Sequence, residues 1–142
     1  MKSAWFGKAL LLSTVVVSLY ACKDKTQSTT LEPAMKAGKG GMATMRVVAE
    51  NSGINVDSGM VYIKYNTSVT PVDGKYDDSA KIKYVDNTAM AIFTELKTGN
   101  YFFAAKGWDI IRSQTVYGTR PYTIQTEAKT GTSYLVLQTT KQ

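Results

Sequence analysis

The chain of 142 residues has no histidine, one cysteine, three prolines and two tryptophans. Lacking histidine, it lacks the side chain that most often serves as general base near neutral pH. Serine and cysteine triads and most zinc sites therefore lose an essential part. A single cysteine excludes any intramolecular disulfide. Long apolar runs are also missing: the longest, Ala9 to Ala21, is thirteen residues interrupted by Ser13, Thr14 and Ser18. A bilayer crossing needs about 20 apolar residues, so this run is too short to span one. No later segment carries apolar residues at helical spacing, which argues against an α-helical domain.

What is present at the amino terminus has the order of an export signal. Lys2 and Lys8 supply a basic start, the apolar run follows, and small Ala21 closes it. The expectation is a secretory signal over residues 1–21 that is removed from the mature chain. The next residue is the lone cysteine. Leu19-Tyr20-Ala21-Cys22 resembles the lipobox of bacterial lipoproteins, with Tyr20 standing where a smaller residue is usual. The resemblance implies that Cys22 is acylated with a diacylglyceryl group and becomes the first mature residue. Two or more acyl chains anchor a protein stably without spanning the bilayer, so the implied partner of Cys22 is a membrane. Lys23, rather than an aspartate, follows the cysteine, and in such lipoproteins this implies the outer membrane. The sequence Cys22-Lys23-Asp24-Lys25 also looks like the tethers of lipoproteins displayed at the cell surface.

Residues 22–43 are rich in Lys, Thr, Ser and Gly, with Leu31, Met35 and Met42 as the large apolar members. Such a composition buries too little to offset its ordering entropy, and a flexible tether is expected. Gly38, Gly40 and Gly41 read as further freedom. The net charge of +6 is concentrated here and in the leader: residues 44–142 hold eleven Lys or Arg against nine Asp or Glu. A domain near +2 without a basic cluster has no electrostatic footprint for nucleic acid.

Residues 44–142 suit one domain. Strands are expected at 44–50, 60–66, 81–85, 89–95, 101–107, 110–116, 122–126 and 133–139. Alternation is clear in Val61, Ile63 and Tyr65 against Tyr62, Lys64 and Asn66, and β-branched and aromatic residues dominate. Turn-forming runs such as "NSGINVDSG", "PVDGKYDDS", "KTGN" and "AKTGT" separate them. Seven or eight short strands at this spacing predict an all-β, antiparallel Greek-key sandwich. Within it, Thr88 to Tyr101 resembles the core motif of transthyretin-like and carboxypeptidase-regulatory-like domains. Ala91, Phe93, Leu96, Gly99 and Tyr101 match, while Ala89 stands where glycine is frequent. The resemblance implies Ala91 and Phe93 on one face, Leu96 closing the strand, Gly99 at positive φ and Tyr101 with a buried ring whose hydroxyl returns to backbone.

That family includes a histidine-dependent hydrolase, whose chemistry this chain cannot perform, and the chain lacks the Lys and Asn placement for an internal isopeptide. No catalytic residue and no cofactor are expected. Asp73, Asp77 and Asp78 cluster in "VDGKYDDS" and read either as a solvated loop or as a weak calcium site of oxygen ligands. Trp108, Arg112, Tyr117, Arg120 and Tyr122 lie close in sequence, a mix suited to a protein partner or to stacking on a sugar ring. The expected function is non-enzymatic: a protein-protein interaction or assembly module held at the envelope, with glycan binding as the alternative.

Overall fold

The structure is a computed structural model that describes residues 36–125 and 132–142. The expected leader, Cys22 and the first part of the tether lie outside the described residues. Ten strands follow in order: β1 Lys39–Asn51, β2 Ile54–Asn55, β3 Ser58–Tyr65, β4 Asp78–Lys81, β5 Lys83–Val85, β6 Thr88–Leu96, β7 Gly99–Asp109, β8 Gln114–Ile124, β9 Thr132–Gln138 and β10 Thr140–Lys141. They form two five-stranded sheets. One runs β2-β1-β6-β5, with β9 also paired to β1, and the other runs β10-β8-β7-β3-β4. Every pairing is antiparallel except β1 with β9, which run parallel over seven residue pairs. The domain is thus all-β and two-layered as expected, but not antiparallel throughout.

Alternation creates the interface between the sheets. Met45, Val47 and Ala49 of β1, Ala91 and Phe93 of β6, Val61 and Ile63 of β3, Tyr101, Phe103 and Ala105 of β7, and Leu135 and Leu137 of β9 are all buried in one cluster. Phe93 and Phe103 meet edge-on across the layers, 5.8 Å between ring centroids. Tyr101 is fully buried, and its hydroxyl donates to the Lys97 carbonyl at 2.6 Å while accepting the Gly38 N–H at 3.1 Å. This is a tyrosine corner between β6 and β7. Gly99, at φ 141°, lies so close to Ala37 that a β-carbon there would sit 2.6 Å from its backbone nitrogen.

The first strand begins earlier than the expected start at Thr44. Lys39–Ala43, read from composition as tether, belongs to β1, and both Lys39 and Ala43 are in register with Leu96 across an irregularity. Gly41 is the reason this fits: a β-carbon on it would lie 2.2 Å from the Leu96 carbonyl oxygen. Here glycine permits close backbone approach rather than disorder. The expected strands at 110–116 and 122–126 are likewise corrected. Ile110–Ser113 form a turn, and Gln114–Ile124 are one continuous strand. Pro121 is tolerated because β10 pairs with β8 only at Val116 and Tyr117, leaving Pro121 on an open edge. The stretch expected as one strand at 81–85 divides at buried Ile82, where the chain leaves β4 in one sheet and enters β5 in the other. Asp86 and Asn87, both at positive φ, then make the two-residue hairpin turn into β6.

A second, smaller apolar layer lies outside the sandwich. Phe102 and Ala104 point away from the main core, yet are 4% and 1% exposed. Tyr76, from the segment between β3 and β4, packs on Tyr62 at 5.4 Å and hydrogen-bonds with Tyr117, so this segment roofs the outer face of β7. Burial, then the Tyr117 hydrogen bond, pushes the Tyr76 phenol up to about 12.

Candidate functional site

Strand β1 runs the length of the sandwich, about 40 Å at the usual rise per residue. Its beginning lies beside the tyrosine corner, and its end, Asn51, lies at the opposite pole. There Asn51 meets Asp109, the last residue of β7, with the amide donating to the carboxylate at 2.7 Å. Both side chains are buried. The same carboxylate accepts the backbone N–H groups of Ile111 and Arg112, each at 3.0 Å, and the Arg112 guanidinium at 3.1 Å. The guanidinium also donates to the Asn51 carbonyl at 3.3 Å. Burial pushes the Asp109 carboxyl up, but the hydrogen bonds from Arg112 and Asn51 and the guanidinium charge outweigh it. The net displacement is below the usual carboxylate range.

This buried polar cage fixes a turn whose outward side chains are apolar. Ile110 and Ile111 are 63% and 66% exposed, and Trp108 beside them is 44% exposed. Tyr84, 64% exposed, stands on neighbouring β5 with its hydroxyl bonded to Asp57. Ile111, Tyr84, Ile54 and Asn87 line one open depression of about 380 Å³. Of the nine large apolar side chains exposed among the described residues, four belong to this pole. An isolated exposed Ile needs no explanation, but two on a turn held rigid by five hydrogen bonds form a preorganised contact surface.

The five aromatic and basic residues singled out in the sequence do not form one surface. Trp108 and Arg112 lie at this pole, Arg112 as part of the cage rather than as a free cation. Tyr117 faces the outer side of β8 and is engaged by Tyr76. Arg120 lies on the inward row of β8, level with Phe103, and donates to the Val136 carbonyl at 2.6 Å. Tyr122 packs against the main core. Ile110 and Ile111 were missed as a contact surface because two β-branched residues read as strand. The signal that identifies the turn is Asp109 itself, since aspartate commonly accepts N–H groups two and three residues on.

The three aspartates are engaged separately. Asp77 accepts the Tyr65 N–H at 2.7 Å and the Lys64 ammonium at 3.1 Å. Asp78 pairs with Lys39 at 3.1 Å, and Asp73 accepts the Lys75 N–H at 3.0 Å. Among the described residues, no group of three or more acidic, cysteine or histidine side chains is arranged to hold a metal ion. Asp77 and Asp78 instead fasten the roofing segment to β3 and the start of β1.

The architecture and the apolar pole stand on their own geometry: no family model matches the chain, and no curated protein or solved structure is significantly similar to it.

Proposed function

We propose that the chain is a lipid-anchored envelope protein whose β-sandwich is a non-enzymatic module for protein-protein interaction, docking through the pole formed by Trp108, Ile110, Ile111 and Tyr84. The observation that carries this reading is the Asp109 cage, which spends buried hydrogen bonds to hold apolar side chains out in water. The chain enters the domain at Lys36 to Lys39, beside the tyrosine corner, so an anchor at Cys22 would hold the sandwich by the other end. The apolar pole would then face away from the membrane to which the chain is fixed, where a partner can reach it. The tyrosine corner, Gly99 and the burial of Ala91, Phe93 and Leu96 support a transthyretin-like lineage for the domain.

Covering a largely exposed isoleucine is worth about 1.5–3 kcal/mol. Losing both should therefore weaken partner binding by about 3 kcal/mol, or roughly a hundredfold. A photo-crosslinking residue placed at Ile111 in intact cells should capture a partner protein, and one placed at Thr123 on β8 should not. Ile110→Ser combined with Ile111→Ser should abolish the first adduct. Equal capture at both positions, or none at Ile111, defeats the reading. Exposed Trp108 also suits stacking on a sugar ring, and retention on a polysaccharide that is lost in Trp108→Ala would favour that alternative. Radiolabelled palmitate incorporation lost in Cys22→Ala tests the anchor separately. Proteinase treatment of intact cells decides between the surface and the periplasmic face of the outer membrane.

A further inference from the structure

The segment between β3 and β4 roofs only half of the outer face of its sheet. It lies over the level of Phe102 and Ala104, where Tyr76 packs on Tyr62 and bonds to Tyr117. Beyond that roof two cross-strand rows stay open. The first runs Lys81, Met60, Lys106 and Tyr117 over β4, β3, β7 and β8, and Thr140 of β10 continues it. The second holds Ser58, Trp108 and Thr115. Their chain neighbours Val61, Ala105 and Val116 are buried in the main core, so strand alternation turns both rows outward. Lys81, Lys106, Ser58, Trp108 and Thr140 are exposed, and Tyr117 and Thr115 are half-buried.

The two rows carry two ammonium groups and no carboxylate. Among the described residues neither Lys81 nor Lys106 belongs to an ion pair. The acids that border the face are engaged elsewhere: Asp77 with Lys64, Asp78 with Lys39, and Asp57, next to Ser58, with Tyr84 of the other sheet. Both lysines pair in register with Met60 from opposite sides, which sets them two inter-strand spacings, or about 10 Å, apart. The rest of the face is aromatic and hydroxylic. Unlike the Asp109 pole it has no isoleucine, leucine or valine.

We propose that this half-face binds an acidic polysaccharide, laid across the strands along the row from Lys81 to Tyr117. The occupant follows from the chemistry of the two rows. Ring faces of Trp108 and Tyr117 suit the C–H faces of sugar rings, being electron-rich and flat. Ser58, Thr115 and Thr140 offer hydroxyls to those of the sugar, and each lysine takes one acidic group at the spacing of every second sugar. A protein partner would gain little where the apolar side chains are so few. A nucleic acid, with a phosphate at every nucleotide, asks for a denser set of cations than two lysines. The proposal adds a requirement for acid to the glycan alternative raised by Trp108, and it does not depend on what docks at the Asp109 pole.

Titration calorimetry of the full-length chain in a neutral detergent should detect binding to at least one of polygalacturonate, alginate and hyaluronate, weakening as salt is raised, and none to dextran. Lys81→Glu combined with Lys106→Glu should weaken that binding about tenfold or more with unchanged circular dichroism. Lys97→Glu, a charge reversal at the opposite, tyrosine-corner end, should leave it as it was. Should the double variant fail to fold, Lys106→Gln alone should still weaken binding severalfold. No binding to any of the three acidic polymers, equal binding to dextran or to polyglutamate, or full binding by the lysine variants overturns the proposal. Crosslinking at Ile111 reports on the pole separately.

Discussion

Tyr101→Phe isolates the contribution of one hydroxyl to the tyrosine corner, because the ring keeps its place among Tyr65, Phe103 and Gly38. The hydroxyl donates to the Lys97 carbonyl at 2.6 Å and accepts the Gly38 N–H at 3.1 Å, so its removal orphans one acceptor and one donor. A hydrogen bond in a protein contributes about 0.5–1.5 kcal/mol net, and more when the abandoned partner is cut off from water. Lys97 is on the surface and Gly38 half-buried, which places the two bonds together at about 2 kcal/mol. For a domain of this size that corresponds to a fall in melting temperature on the order of 10 °C. Tyr101→Ala adds the loss of a fully buried ring and should cost about 3–5 kcal/mol. The same bonds hold Gly38 against β7, so Tyr101→Phe should also expose Lys36 and Lys39 to limited trypsin digestion before the rest of the domain unfolds. Urea and thermal unfolding of the two variants measure the difference. If Tyr101→Phe unfolds within about 0.5 kcal/mol of the parent and its amino-terminal lysines stay protected, the corner does not fasten the start of β1 and the argument fails.

The Asp109 carboxyl is held below its ordinary range in the folded state, so it contributes stability above the unfolded value near 4 and loses it as pH falls through the lower folded value. The urea midpoint of the parent should therefore drop on acidification below about pH 4, and Asp109→Asn should start lower and lack that part of the drop. Tyr65 and Tyr76 behave with the opposite sign: burial foremost raises both to about 12, so the stability they confer is complete below pH 10 and declines between pH 10 and 12. Ultraviolet titration of tyrosinate should show late-ionising phenols, and Tyr76→Phe should remove one of them. Gly41→Ala forces a β-carbon onto the Leu96 carbonyl and should destabilise the domain by about 1–3 kcal/mol, with amide exchange in Lys39–Ala43 rising first.

The fold was legible wherever one face of a strand is buried. Period-two alternation located β1, β3, β6, β7 and β9 because inward and outward positions differ in chemistry there. Legibility failed where tertiary context reversed a local preference. Gly40 and Gly41 signal freedom in composition, yet Gly41 is required by the close crossing of β1 over Leu96. Ile110 and Ile111 favour strand, but the Asp109 carboxylate captures their turn, and that capture depends on Asn51, 58 residues earlier in the chain. Pro121 signals a break, which an edge strand can ignore. The candidate site suffered most: proximity in sequence grouped Trp108 with Tyr117, Arg120 and Tyr122, whereas strand alternation sends Tyr117 to one face of β8 and Tyr122 to the other.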